Sequence, residues 1–256
     1  MTLLDALPTG DRVHEPIALV VAHPDDEVVG LGSRLACFAD LTLIHLTDGS
    51  PRDLRDAYRA GFPDRKAYSK AREQELRAAL ERLGVAPKRI GYRIPDQETA
   101  HHLPEIIERL RADLSGMAAV FTHPYEHGHP DHDSAALAVA LAAPALPRFE
   151  CAFYHATDRG SRFGAFWPDA EVAETVLSLR PEEQAAKARA IACFATQRET
   201  LAQFDLVAER VRPAPTYDFT RPAPPGAALY ERWGFRESAA DWRAHAARVL
   251  EPACAD

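Results

Sequence analysis

The run Ile17-Ala18-Leu19-Val20-Val21-Ala22 is apolar at every position. A strand with one face in water alternates apolar and polar residues. An unbroken run therefore reads as a strand buried on both faces, as in a parallel sheet. Parallel strands need a crossover between them, usually a helix, and the sequence supplies these. Helical spacing over 28–38 follows the first strand, and 41–46 reads as the second. A long polar stretch, 47–68, precedes a charged helix over 69–83. Residues 89–94 read as a third strand, 101–114 as a helix, 118–122 as a fourth strand, and 134–141 as part of another helix. Residues 149–154 and 172–179 read as further strands, 182–194 as a helix and 239–250 as a closing helix. This alternation predicts an α/β, Rossmann-like, mostly parallel sheet with helices on both faces. The ligand site of such a sheet lies at the carboxyl ends of its strands.

The chain has 256 residues, enough for one domain over 1–256 that folds without disulfides or structural metal. Its motif-bearing core spans about 17–200, with an arm and terminal helix over about 205–250. The arm, 205–237, carries Pro213, Pro215, Pro222, Pro224 and Pro225 with Tyr217, Phe219, Tyr230, Trp233 and Phe235. It reads as irregular chain packed on the sheet edge. A pocket wall or oligomer contact is the less favoured alternative, and a homo-oligomer is compatible with the sequence. A net charge of −8 speaks against a general nucleic-acid binder. No apolar run approaches the ~18 residues that span a bilayer, and residues 1–10 do not read as a signal peptide. Cys37, Cys151, Cys193 and Cys254 are widely spaced and expected as free thiols in a reducing cytoplasm.

The chemistry concentrates just after strands. His23-Pro24-Asp25-Asp26-Glu27 follows the first, and His127-Gly128-His129-Pro130-Asp131-His132 follows the fourth. Ionisable groups crowded at such turns are costly unless a cation neutralises them. Imidazole nitrogen and carboxylate oxygen suit zinc, and a catalytic zinc site uses three protein ligands. His23 and Asp26, three apart on a turn, can converge on one ion, with His132 as a third ligand. Asp25 can point elsewhere and act as general base. His129 can present a protonated imidazole to a developing oxyanion. Asp131 can orient one of these histidines. A helix-capping turn is the plain alternative for each cluster alone, and the pairing of the two weakens it. Arg72 and Glu75 also fit an ordinary i,i+3 ion pair. Asp48 and Asp96 fit turn chemistry. His14, His45, His101, His102, His123, His155 and His245 have no motif support and read as structural, and Trp167, Trp233 and Trp242 read as packing residues.

With these motifs the chain resembles the LmbE-like/PIG-L family of zinc-dependent deacetylases, which remove acetyl groups from N-acetylglucosamine units of glycolipids, thiol cofactors and antibiotics. Arg72-Glu73-Gln74-Glu75, Leu83-Gly84-Val85, Pro95-Asp96 and Thr47-Asp48-Gly49 are similar to family motifs as well, and the likeness covers about 17–141. The resemblance implies His23, Asp26 and His132 as zinc ligands and Asp25 as base. It implies His129 as transition-state stabiliser with Asp131 as its carboxylate partner, and Arg72 and Asp96 as contacts to sugar hydroxyls. His127 stands where some members carry a tyrosine. Substrate contact, proton donor and surface histidine are all open to it.

These readings converge on a hydrolase that removes an N-acyl group, most readily acetyl, from a small amino-sugar conjugate, with one Zn²⁺ per chain. Fe²⁺ suits the same ligands. Between Arg52 and Arg89 eleven Lys/Arg face six Asp/Glu. The plain reading is a solvated face of loop and helix; the sharper one is that Arg52 and Arg55, on a lid-like 47–68 connection, attract an anionic substrate. Two rivals compete. His127-x-His129-x-Asp131-His132 also fits the two-metal pattern of metallo-β-lactamases, which would leave the His-Pro-Asp-Asp-Glu cluster unused. A non-catalytic Rossmann-like binding module is the other, but the chain has no G-x-G-x-x-G or Walker A, and no G-x-S-x-G of a serine hydrolase.

Overall fold

The computed structural model describes residues 3–169, 171–224 and 226–251; Pro225 and Cys254 lie outside them. The strands are β1 (Val13–Val21), β2 (Phe38–Pro51), β3 (Lys88–Asp96), β4 (Ala119–Thr122), β5 (Arg148–Cys151), β6 (Tyr154–Thr157), β7 (Gly160–Phe163), β8 (Thr175–Ser178) and β9 (Ala208–Pro213). Seven form the main sheet in the order β3-β2-β1-β4-β5-β9-β8, and β6 and β7 form a separate hairpin. From β3 through β5 every pairing is parallel. The β5–β9 and β9–β8 pairings are antiparallel.

Burial on both faces of β1 follows from its composition. Ile17, Leu19 and Val21 pack into one core, and Ala18 and Val20 into another on the opposite face, as the two-residue repeat of a strand demands. Leu76 and Leu80 of the helix Arg65–Leu83 cover the first face. Helices Leu103–Asp113, Pro130–Ala142 and Ala239–Leu250 cover the second, the last through Trp242.

Helix Arg65–Leu83 starts four residues before the apolar spacing does. Asp64 caps it by accepting the Ala67 N–H at 2.7 Å, and Gly84 closes it in the left-handed region at φ 67°. The expected helix over 28–38 is shorter, Asp26–Leu31, followed by a 3₁₀ turn Leu35–Cys37. The arm is less irregular than expected: it contributes β9, which sits inside the sheet between β5 and β8. Cys37, Cys151 and Cys193 are free thiols. Among the described residues no helix is long and apolar enough to cross a membrane.

Chain direction from β1 leads outward to β2 and β3 on one side, whereas β4 and β5 lie on the other. The gap between the ends of β1 and β4 is thus a topological switch point, where open α/β sheets form their ligand crevice. Both motif clusters emerge there.

Candidate metal centre

The turn after β1 is tied down on each side. Ala22 donates its N–H to His123 Nε2 at 2.9 Å, and its carbonyl accepts from the backbone N–H and hydroxyl of Thr47. The chain then turns sharply through Asp25, whose φ of 129° is unfavourable for any residue with a side chain, typically by ~1–3 kcal/mol. Glu27 holds that strained peptide: its Oε2 accepts the Asp25 N–H at 3.1 Å and lies 3.0 Å from His45 Nε2. The strain is what splits two adjacent aspartates. Asp26 turns inward, accepting the His23 N–H at 2.8 Å, while Asp25 faces Arg72.

Three donors converge at the turn. His23 Nδ1 lies 3.2 Å from Asp26 Oδ2, and His132 Nε2 lies 3.5 Å from Asp26 Oδ1. His132 comes from the first turn of helix Pro130–Ala142, which Pro130 opens. All three residues are buried, and their donor atoms fall within 4.8 Å of one another. His132 Nε2 has no hydrogen-bond partner, which is costly for a buried polar atom unless a ligand takes it. The His2Asp donor set and this orphan nitrogen fit a zinc ion. A second group, His23, Asp96, His129 and Asp131, is also compact. Asp131 is already spoken for there: it accepts the Gln97 N–H and both the N–H and hydroxyl of Thr99.

The electrostatics agree with a cation at the convergence point. Burial opposes charge on His23, yet Asp96, Asp131 and Asp26 raise its pKa well above the ordinary imidazole value. Burial also opposes charge on Asp26, but His132 and His123 hold its carboxyl well below the usual range. Asp25 is pushed up to about 7 by burial, against the pull of Arg72. Arg72 Nη2 donates to Asp25 Oδ2 at 3.0 Å and to the Pro24 carbonyl at 2.6 Å. Space for this guanidinium depends on Gly49 (φ 62°), where a Cβ would lie 2.8 Å from Arg72 Nε.

Two details differ from expectation. Asp131 Oδ2 sits 3.1 Å from His23 Nε2 and 3.9 Å from His129 Nδ1. Its nearer partner is therefore His23, the arrangement by which a carboxylate fixes a metal-binding imidazole. His129 is pushed down to about 3 by burial and then by His23, so its ring is neutral rather than protonated. Nδ1 accepts the Asp131 N–H at 3.2 Å, which leaves the proton on Nε2.

A cleft of about 750 Å³ opens over this cluster. His23, Asp25, Asp26, Arg72, Asp96 and His129 line it, with His132 and Asp131 buried behind. His127 does not line it. It is fully buried, bonded to Asp133 through Nδ1 at 2.7 Å and to the Ala223 N–H through Nε2 at 3.0 Å. With both ring nitrogens engaged, it has none free for a substrate, and the two-metal pattern loses its first histidine. The mostly parallel seven-stranded main sheet, with only the β6–β7 hairpin beside it, also excludes the αββα sandwich of that rival.

The anion-attracting patch is corrected too. Arg52 pairs with Glu98 outside the cleft, while Arg55 and Arg59 at its wall pair with Asp53 and Asp56. Seven carboxylates and four arginines line the cleft, so its balance is acidic. Sequence reading missed other contributors. His123 stacks on His132 at 3.9 Å between centroids. Trp233, read as a packing residue, and Phe235 of the arm form part of the cleft wall, the less favoured reading of that segment. Of these, only the aromatic density of the arm gave a signal in the sequence.

Residues 18–143 match the model of the family described as PIG-L, GlcNAc-PI de-N-acetylase. Over this stretch the chain is similar to the PIG-L/LmbE family. A probable N-acetyl-α-D-glucosaminyl L-malate deacetylase 2 of Bacillus anthracis is 30% identical over 138 residues, covering 51% of this chain and 60% of that protein. The chain thus spans less than two thirds of the curated relatives it matches, 60% and 66% of their lengths. A deacetylase triple mutant of the teicoplanin biosynthetic pathway superposes with a TM-score of 0.63 at 20% identity, over 79% of this chain and 99% of that one. A 4-carboxy-2-hydroxymuconate hydratase from Pseudomonas putida gives 0.52 at 19%, over 79% and 99%. These structures establish the fold, which serves a hydratase as well as deacetylases. The family model that matches residues 18–143 is named for de-N-acetylation.

Proposed function

We propose that this chain is a metal-dependent amidohydrolase that removes an N-acyl group, acetyl above all, from an amino-sugar conjugate. The observation that carries this reading is the buried His23–Asp26–His132 donor set, with an orphan His132 nitrogen and a separate carboxylate, Asp25, at the cleft beside it. The match to a de-N-acetylase family supports it.

His23, Asp26 and His132 would hold the ion, with Asp131 fixing the His23 ring. Zinc bound there supplies Lewis-acid chemistry, polarising an amide carbonyl and acidifying water. Asp25 takes the proton from the attacking water and passes it to the departing amine. Arg72 keeps that carboxylate turned toward the cleft. His129 donates from its neutral Nε2–H to the oxyanion that develops as the amide carbon becomes tetrahedral. Asp96 and Arg72 both line the cleft, which supports a role for them in meeting sugar hydroxyls.

The test is carboxylate release by zinc-loaded protein from N-acetylglucosamine and its inositol, malate, phosphate-linked and lipid-linked conjugates, with Asp25→Ala as control. Release that vanishes in the control supports the reading. Release that persists in it refutes the base assignment, and silence across the panel refutes the substrate class.

A further inference from the structure

Glu237 lies where the arm meets the terminal helix, one residue before the Ser238 cap. Its side chain is only 9% exposed, and Oε1 has no hydrogen-bond partner. A buried carboxylate oxygen left unpaired is destabilising unless a cation or donor reaches it. Two imidazoles face it from different elements. His101, on the 3₁₀ turn Thr99–His102, places Nε2 3.5 Å from Oε2. His245, on helix Ala239–Leu250, places Nε2 3.9 Å from Oε1. The two rings stand 4.3 Å apart at 73°, and the three donor atoms lie within 4.8 Å of one another. Both distances are too long for good hydrogen bonds. They match a ligand set instead: with zinc bonds of about 2.0–2.1 Å, tetrahedral neighbours stand roughly 3.4 Å apart.

We propose that His101, Glu237 and His245 form a second divalent-cation site, taking zinc or an ion of similar chemistry. It shares no residue with the His23–Asp26–His132 group. Two imidazoles and one carboxylate are a zinc ligand set, and the exposure of His101 leaves room for water as the fourth ligand. The site would clip the terminal helix to the Thr99–His102 turn. That turn also braces the central cluster, because Thr99 donates twice to Asp131. Occupancy therefore fixes the element that orients Asp131 and, through it, His23. The assignment stands on its own donor geometry and does not depend on the deacylase reading.

The experiment is a zinc titration of chelator-stripped full-length protein by equilibrium dialysis, with thermal midpoints measured in parallel. The variants are His101→Ala/His245→Ala, Glu237→Gln and His23→Ala/His132→Ala. We expect two equivalents in the parent protein and one fewer in each of the first two variants. The His23→Ala/His132→Ala protein should keep one equivalent and still show a zinc-dependent rise in midpoint. Binding by His101→Ala/His245→Ala and by Glu237→Gln equal to that of the parent overturns the proposal. So does a His23→Ala/His132→Ala protein that binds no zinc. Failure of the central site reads differently: His23→Ala/His132→Ala would bind as much zinc as the parent.

Discussion

Replacing His129 by alanine separates two jobs that one ring performs. In the proposed mechanism its Nε2–H is the oxyanion donor, while its Nδ1 caps helix Pro130–Ala142 through the Asp131 N–H. Loss of one preorganised oxyanion donor typically costs ~10²–10³ in rate. Loss of an N-cap typically costs ~1 kcal/mol of stability. His129→Ala should therefore retain zinc, lose activity by that factor, and unfold at lower urea by an amount worth ~1 kcal/mol. His129→Asn is the discriminating variant, because asparagine is among the best N-caps but cannot place a donor where Nε2 stood. It should recover most of the stability and none of the rate. The assays are kcat/KM for acyl release, urea denaturation and metal content. If asparagine restored rate along with stability, the ring's role would be structural and the oxyanion assignment would fail.

Asp25→Ala should keep zinc and lose more activity than His129→Ala; equal zinc content with full turnover would remove Asp25 from the mechanism. His23→Ala or Asp26→Ala should lose the central zinc, read by metal analysis after gel filtration, and retention of that equivalent would reassign the ligands. Gly128→Ala would set a Cβ 2.1 Å from the Tyr154 carbonyl oxygen, so the loop must shift and stability should fall by roughly 1–3 kcal/mol; an unchanged thermal midpoint would contradict the close approach. One arginine, Arg212, serves two buried carboxylates, Glu126 and Glu150, with Tyr217 and the Trp167 N–H as their other partners. Burial pushes Glu126 up to about 8 and Glu150 up to about 7 despite Arg212. Between the unfolded value of about 4.3 and those values the folded chain binds more protons, so stability falls as pH rises from about 5 to about 8. Glu126→Gln should flatten that fall in urea midpoints, and parallel slopes would refute it.

The parallel half of the sheet was legible because its strands are apolar on both faces and its chemistry sits at strand ends. β9 was not legible, because two of its three buried positions, Glu209 and Arg212, are charged. Glu209 meets Lys187 at 2.7 Å, and Arg212 meets Glu150 at 2.9 Å, so buried ion pairs occupy places where a reader of hydrophobic pattern looks for valine. The paired motifs pointed to a shared site, but the partners within it were hidden by distance along the chain. Nothing in the sequence says that Arg72 reaches back 47 residues to Asp25, or that Asp131 prefers His23 to its neighbour His129. His127 misled for a related reason: it carries a ligand-type side chain at motif spacing, yet Asp133 six residues on turns it into the packing behind the loop.

The strand order has a consequence for how such a chain can diversify. The chemistry-bearing turns hang from β1 to β4, all before residue 143, where the family match ends. Much of the cleft's outer wall, from Tyr154 through Phe204 to Trp233 and Phe235, comes from later chain built on the antiparallel margin and its neighbours. The cleft is thus assembled from two stretches of polypeptide: the reactive turns with Arg72 and Asp96 come from the first, and the aromatic outer wall from the second. A chimera that exchanges residues after 143 between two such proteins would replace that wall and keep the reactive turns. A changed substrate preference in it would put selectivity in the wall, and an unchanged one would put it in the first stretch.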